Sequence, residues 1–432
     1  MKFLYKNSFL LSDGEVENCA KALSPYISQL KEVIASKNYD APESSINLPD
    51  DAKILDEVLE MKEKKWTRNL RYIFDIGIGG SNLGTKAVYD ALLGHFDILN
   101  PNRYPKIIFA DTNDPEFLHA LVTFLSKEIQ SEDEVVINVI SKSGGTTETI
   151  SNFEIIMDTL KRKFPSIEKQ VVVTTDHGSK MYKTAEGKNI DILTLPASVG
   201  GRYSVFSPVG LFPLAMAGVS IKKLLQGAKE MRELCTKDSL SENPALVSAI
   251  TLFLQNKLEK NINDNFIFHP ELESVGKWYR QLMGESVGKN GLGLTPTVSI
   301  GSVDLHSTVQ LYLGGPKDKI TTFISTENNL QDVALPETLS FPLVDSIAGK
   351  KVSEIMKAIL AGVKITYAKQ QLPYIEVVLD DVSEKPIGEF LQYKMTEMMY
   401  LGKLLSVNTF NQPEVELYKI ETKKILNHLL PG

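Results

Sequence analysis

Cysteine is scarce, with only Cys19 and Cys235 in 432 residues. They lie far apart and form neither a C-x-x-C pair nor a zinc spacing, so a disulfide framework is excluded and a reducing compartment is the simplest reading. No apolar run reaches 18 residues, which excludes a transmembrane helix. The stretch Met1–Asn7 has no apolar core and no small-residue cleavage site, so a cytoplasmic location is expected. Positive charge is not in excess: 47 Lys and Arg face 54 Asp and Glu, for a net charge of −7. That argues against a nucleic-acid partner. It leaves room for an anionic small substrate, because a pocket can be locally positive on an acidic protein. The histidines, His95, His119, His177, His269, His306 and His428, are scattered with no pair at i, i+4. No metal site and no cofactor are expected from them. Repeats at solenoid periods and low-complexity tracts are also missing.

A hydrophobic content of 43% and a charged content of 23% are ordinary for a globular chain of two or three domains. Residues 1–50 read as helix and loop punctuated by Pro42 and Pro49. From Arg71 short apolar runs alternate with helical stretches. Arg71–Ile76, Lys106–Ala110, Val135–Ile140, Gln170–Thr175 and Ile190–Leu195 read as strands, with helices at Leu83–His95, Pro115–Leu125 and Thr147–Phe164 between them. Continuous apolar strands alternating with helices indicate a parallel sheet covered on both faces. A second such unit opens with helices at Pro208–Gly218, Ile221–Cys235 and Pro244–Leu258. Its strands are Asn265–His269, Thr297–Ile300, Lys319–Ser325 and Tyr374–Leu379, with helices at Glu273–Leu282, Asp304–Leu313 and Ser353–Gln371. Helices at Ile387–Leu405 and Pro413–Leu430 close the chain. The fold class is therefore α/β with two doubly wound parallel sheets. The expected division is 1–50, 51–195, 196–390 and 391–432, with the junction of the two units near Pro196–Arg202.

Six segments carry residues suited to chemistry. Gly77–Gly84 follows a strand and opens a helix, where glycines let backbone N–H groups approach an anion. As a dinucleotide fingerprint it fails, because Asn82 stands where the third glycine belongs. Ser141-Lys142-Ser143-Gly144-Gly145-Thr146-Thr147-Glu148-Thr149 also sits between strand and helix. Its several hydroxyls, two glycines and lysine suit a phosphate cradle, although one hydroxyl would suffice for a cap. It lacks the Gly-Lys-Ser/Thr ending of a Walker loop. Val199–Ser204 can present the Arg202 guanidinium to an oxyanion, or spend it on an interdomain ion pair. Gly284–Lys289 holds Glu285 near a helix C-terminus; it is a candidate general base, against the commoner solvated surface glutamate. In Ser302–Ser307, His306 is either a proton shuttle or a cap, and Asp304 shares its side only in extended chain. Lys419, in Glu414–Lys419, reads on its own as solvent-facing.

Taken together, these segments resemble the glucose-6-phosphate isomerase family in its shorter bacterial form. The match runs in order from about Asp75 to the C-terminus. Its most specific pieces are Gly200-Gly201-Arg202-Tyr203-Ser204, Gly284-Glu285-Ser286-Val287-Gly288-Lys289 and the loop Ser141–Thr149. Where other members carry a Thr-x-Thr-Thr run, this chain has Ser143-Gly144-Gly145-Thr146. The resemblance implies two sugar-isomerase domains of flavodoxin-like type. It implies reversible conversion of glucose 6-phosphate to fructose 6-phosphate through ring opening and a cis-enediol(ate). It also implies a homodimer whose active sites borrow residues from both subunits. By the same resemblance Glu285 moves the proton between C1 and C2, His306 and Lys419 assist ring opening, and Arg202 stabilises the enediolate. Ser141, Lys142, Ser143 and Thr146 match the phosphate loop, and Gly80 and Ser81 the first glycine turn. A sugar-phosphate sensor on the same fold, or an isomerase of another phosphosugar such as mannose 6-phosphate, are the alternatives. The sensor could dispense with Glu285, His306 and Lys419, and all three are present.

Overall fold

The structure is a computed structural model and describes residues 1–428. Its strands are β1 (Lys2–Leu4), β2 (Tyr72–Ile76), β3 (Lys106–Ala110), β4 (Val135–Ile140), β5 (Val171–Asp176), β6 (Asp191–Leu195), β7 (Ile262–Ile267), β8 (Thr295–Ile300), β9 (Lys319–Thr326) and β10 (Tyr374–Leu379). One sheet has the order β3-β2-β4-β5-β6 with every pair parallel. Every residue of β2 and β4 is buried, as strands covered on both faces require. Phe74, Ile76, Ile137 and Val139 face one core with Leu121, Ile156 and Leu160 from the helices Pro115–Glu128 and Thr147–Lys161. Ile73, Val136 and Val172 face the opposite way, into a larger core that continues under the second sheet.

The second sheet has the order β1-β10-β9-β7-β8. Its long strands are parallel, and β1 joins the edge antiparallel to β10, pairing Lys2 with Val378 and Leu4 with Glu376. This strand lies in the stretch read as helix and loop; three residues are too few to show a period of two. Aromatic and ionic contacts anchor it. The Phe3 ring meets Tyr393 at 6.0 Å, and the terminal ammonium pairs with Asp380 at 3.0 Å and Glu389 at 3.1 Å. The helix expected over Asp304–Leu313 is instead a tight turn, Val303–His306, followed by a short helix, Val309–Gly314. The closing helix spans Pro413–His428, and Leu430 lies outside the described residues.

Each sheet has one point where the winding reverses, between β2 and β4 in the first and between β7 and β9 in the second. In open parallel sheets ligands collect outside the carboxyl ends of the strands at such a point. The helix Glu273–Val287 links β7 to β8 and packs against Leu83–Leu92 of the first unit. It therefore carries its C-terminal residues toward the reversal point of the first sheet. A buried ion pair steadies it. Lys394 Nζ lies 2.9 Å from Glu397 Oε1, both fully buried, and Glu397 Oε2 accepts a 2.7 Å bond from Tyr279 on that helix. Ser248 and Tyr393 donate to the same carboxylate. Burying two charges costs several kcal/mol unless the remaining lone pairs are filled, and here hydroxyls fill them.

Candidate active site

β2 and β4 end side by side, and each runs into one of the loops singled out above. After β2, Gly79 takes φ +61, a left-handed backbone that glycine adopts freely. Gly80 then lies against the turn Gly201–Tyr203: a Cβ there would sit 2.2 Å from the Gly201 carbonyl carbon and 2.6 Å from Arg202 N. Ser204 Oγ donates to the Gly80 carbonyl at 3.2 Å and closes the junction. Ser81 is half-buried at the end of this turn.

After β4, Ser141 is buried; its Oγ accepts from Gly144 N at 3.1 Å and lies 3.0 Å from Thr146 Oγ1. Gly144, at φ +72, passes so close to Met181 that a Cβ would meet its backbone N at 2.7 Å. The helix Thr147–Lys161 starts here, and Thr146 at its N-cap makes no side-chain bond to the first turn. Thr149, in that turn, keeps a buried Oγ1 without a protein partner. Free N–H groups, an idle hydroxyl and the positive end of a helix dipole form a seat for a small anion. Ser143 is exposed at the tip. Lys142 points away from this seat, donating to the Ala197 carbonyl at 2.5 Å and the Val199 carbonyl at 3.1 Å. It ties the loop to the approach of the Arg202 turn.

Arg202 is the centre of the site. It is 2% exposed, and all its nitrogens are engaged. Nε donates to Ser286 Oγ at 2.9 Å; Nη2 donates to the carbonyls of Thr409 and, at 3.2 Å, Asn411. Nη1 donates to Glu285 Oε2 at 3.1 Å and Gln412 Oε1 at 2.9 Å. Backbone carbonyls and a buried serine thus fix two corners of the guanidinium, and the third faces two movable side chains. Gln281, one helical turn before Glu285, donates to Glu285 Oε1 at 3.0 Å and lies beside Gly79. Glu285 therefore bridges an amide and a guanidinium, partly open to solvent, between the glycine turn and the Arg202 turn.

Within one chain the structure brings together Gly80, Ser81, Ser141, Thr146, Arg202 and Glu285. It does not bring His306 or Lys419 to them. His306 ends the turn Val303–His306 with an exposed ring. Asp304 does not orient it; one oxygen accepts from Ile300 N at 2.7 Å and the other from Ser307 Oγ at 2.6 Å. Lys419 is half-buried and pairs with Glu416 at 2.8 Å on its own helix. Three residues of the site carried no reading in the sequence. Gln281 had a signal, the i, i+4 spacing to Glu285. Gln412 had none, because only the folded chain returns it to Arg202. Lys289 was visible only as the last residue of the Gly284–Lys289 segment, with no role attached to it, yet its Nζ lies 2.6 Å from the Glu285 carbonyl oxygen.

The statistical profile of phosphoglucose isomerase matches residues 46–315, which hold both loops, Arg202, Glu285 and His306. The chain belongs to the phosphoglucose isomerase family. A glucose-6-phosphate isomerase of Methanocaldococcus jannaschii is 37% identical over 82% of this chain and 83% of its own length. A probable glucose-6-phosphate isomerase of Methanococcus maripaludis is 34% identical over 98% of this chain and 91% of its own. Among solved structures, a hypothetical protein of Thermus thermophilus superposes with a TM-score of 0.86 at 28% identity, over 98% of this chain and 99% of that one. A glucose-6-phosphate isomerase of Chlamydia trachomatis shares the fold at a TM-score of 0.80 and 22% identity, over 98% of this chain and 88% of that one. No described helix is long and apolar enough to cross a membrane.

Proposed function

We infer that this chain interconverts glucose 6-phosphate and fructose 6-phosphate, with Glu285 as the base that carries a proton between C1 and C2. The observation that carries this reading is the Glu285 carboxylate held 3.1 Å from the buried Arg202 guanidinium, with the helix start at Thr146 uncapped by its own side chain. The substrate phosphate occupies the seat formed by Ser141, Thr146, Thr149 and the first N–H groups of Thr147–Lys161. Its sugar then extends toward Gly80 and Glu285. A proton on the carbon next to a carbonyl is removed by a carboxylate and returned one carbon away. Negative charge gathers on the oxygens of the enediolate during this step. Arg202 Nη1 supplies the compensating positive charge, exchanging its bonds to Glu285 and Gln412 for the substrate oxygens. A fixed donor of this type contributes about 3 kcal/mol to the transition state.

Ring opening needs a proton onto the ring oxygen and one off the anomeric hydroxyl, roles that the family resemblance gives to His306 and Lys419. In a single chain His306 is exposed and Lys419 pairs with Glu416, and neither makes a hydrogen bond or ion pair to Glu285 or Arg202. A homodimer in which one copy lends His306 to the site of the other supplies what the single chain lacks. The enzyme acts in glycolysis and gluconeogenesis, in the cytoplasm. A coupled assay tests the reading: purified protein receives fructose 6-phosphate, and glucose-6-phosphate dehydrogenase reports the product as NADPH. Turnover in the parent and none in Glu285→Gln, with sugar-phosphate binding retained, is expected. Near-normal kcat in Glu285→Gln removes this residue from the base role. Mixing Glu285→Gln with His306→Ala subunits should restore part of the activity; none after verified exchange means that each site is built from one chain.

A further inference from the structure

The helix Glu273–Val287 ends two residues after Glu285, so the carbonyls of its last turn have no partners inside the helix. Gly288 N returns to the Gly284 carbonyl at 3.0 Å, and Lys289 N to that of Val287 at 2.9 Å. The carbonyls of Glu285 and Ser286 are taken by one side chain: Lys289 Nζ lies 2.6 Å from the first and 2.8 Å from the second. The chain then reverses through Asn290 and Gly291, both at positive φ. Lys289 is 8% exposed, and its ammonium faces Arg202 from the turn Gly201–Tyr203, Glu285 on its own helix and Glu414 on the helix Pro413–His428.

We propose that Lys289 is a positioning residue for isomerisation: its ammonium clamps the backbone of Glu285 and Ser286, so that the base and the serine bracing Arg202 keep one geometry through the proton transfer. This rests on the reading of Glu285 as the base. A cation at a helix C-terminus is favourable, and a charge-assisted bond is about twice as strong as a neutral one. The clamp acts at both ends of the catalytic pair, because the Ser286 hydroxyl accepts from Arg202 Nε while its carbonyl accepts from Lys289. A base misplaced by ~1 Å loses on the order of a hundredfold in rate, so a loosened last turn costs part of that range. Burial, reinforced by the neighbouring Arg202 charge, lowers the Lys289 ammonium to about 8, with Glu414 and Glu285 opposing. The clamp is therefore charged at neutral pH and weakens as pH rises through that value.

The experiment compares the full-length parent with Lys289→Arg, Lys289→Met and Glu285→Gln, measuring kcat and KM for fructose 6-phosphate from pH 6 to 10 and melting temperature in parallel. The parent is expected to lose kcat on an alkaline limb centred near 8. Lys289→Arg keeps a cation that does not titrate in this range, so kcat at pH 7 stays within about threefold and the limb moves up by about one unit or more. Lys289→Met is expected to lose about tenfold or more in kcat at pH 7 with KM within about twofold, and to show no limb near 8. A purely structural lysine would lower the melting temperature without moving the limb. An unchanged limb in Lys289→Arg overturns the proposal, and this variant decides alone if Lys289→Met does not fold. Parent-like kcat and limb in Lys289→Met, with Glu285→Gln inactive, overturn the clamp and spare the base. An active Glu285→Gln overturns the base itself.

Discussion

The Gly80→Ala substitution tests the joint between the two halves of the site. A methyl group there meets the Gly201 carbonyl carbon at 2.2 Å, Arg202 N at 2.6 Å and Gly201 Cα at 2.6 Å. All three are backbone atoms, so no side chain can swing aside. The first contact falls short of ordinary van der Waals distance by about 1.2 Å, and a close-packed interior has no spare room to absorb that. The glycine turn and the Arg202 turn must separate by about 1 Å, a displacement that costs about a hundredfold in kcat when it moves a reacting group. Overpacking adds a loss of about 1–3 kcal/mol in stability. Gly145→Ala is the contrast, because its Cβ meets nothing within 4 Å and its φ is not positive. The assay is steady-state turnover of fructose 6-phosphate beside urea denaturation of both variants. Parent-like kcat in Gly80→Ala would refute the claim that this approach sets the distance between the anion seat and Arg202.

Asp75, fully buried with Oδ2 unpartnered, is pushed up to about 8 by burial, with the Asn138 bond opposing and Asp111 adding to the rise. A carboxyl raised in this way stabilises the fold most below its unfolded value near 4, and that contribution falls away as pH rises toward 8. Asp75→Asn should flatten the decline and gain stability at pH 7, with an upper bound of ~4 kcal/mol; parallel denaturation curves at pH 5 and pH 8 check this. Glu397→Gln leaves the buried Lys394 ammonium without its counter-charge and should cost about 3–5 kcal/mol. Adding Lys394→Met should recover much of it, read as urea midpoints. Arg202→Lys keeps one charge but cannot reach Ser286, Glu285, Gln412 and two carbonyls together, so kcat should fall on the order of a hundredfold with binding less affected.

Local chemistry decided which parts of this protein were readable. The strands of the first sheet stand out because β2 and β4 are buried on both faces and therefore nearly all apolar. Its loops stand out because an anion seat at a helix start needs glycine and hydroxyl residues in consecutive positions. The edge strand β1 left no trace, being three residues long and defined by backbone pairing to β10, some 375 positions away. Lys142 shows how composition misleads: a lysine inside a phosphate-type loop looks like a ligand, yet the fold uses its ammonium to hold two carbonyls of the next segment. Gln412 and Lys289 join the site through contacts that only the folded chain creates. His306 and Lys419 were legible through the family pattern alone, because neither makes a contact with Arg202 or Glu285 that a local spacing would mark.

The central claim, that Glu285 carries the proton between C1 and C2, is tested most directly with glucose 6-phosphate deuterated at C2. The account predicts that the parent delivers part of the deuterium to C1 of fructose 6-phosphate and loses the rest to solvent, and that Glu285→Gln binds the sugar but neither isomerises it nor washes out the label. Release or transfer of the label by Glu285→Gln at a rate near that of the parent would contradict it.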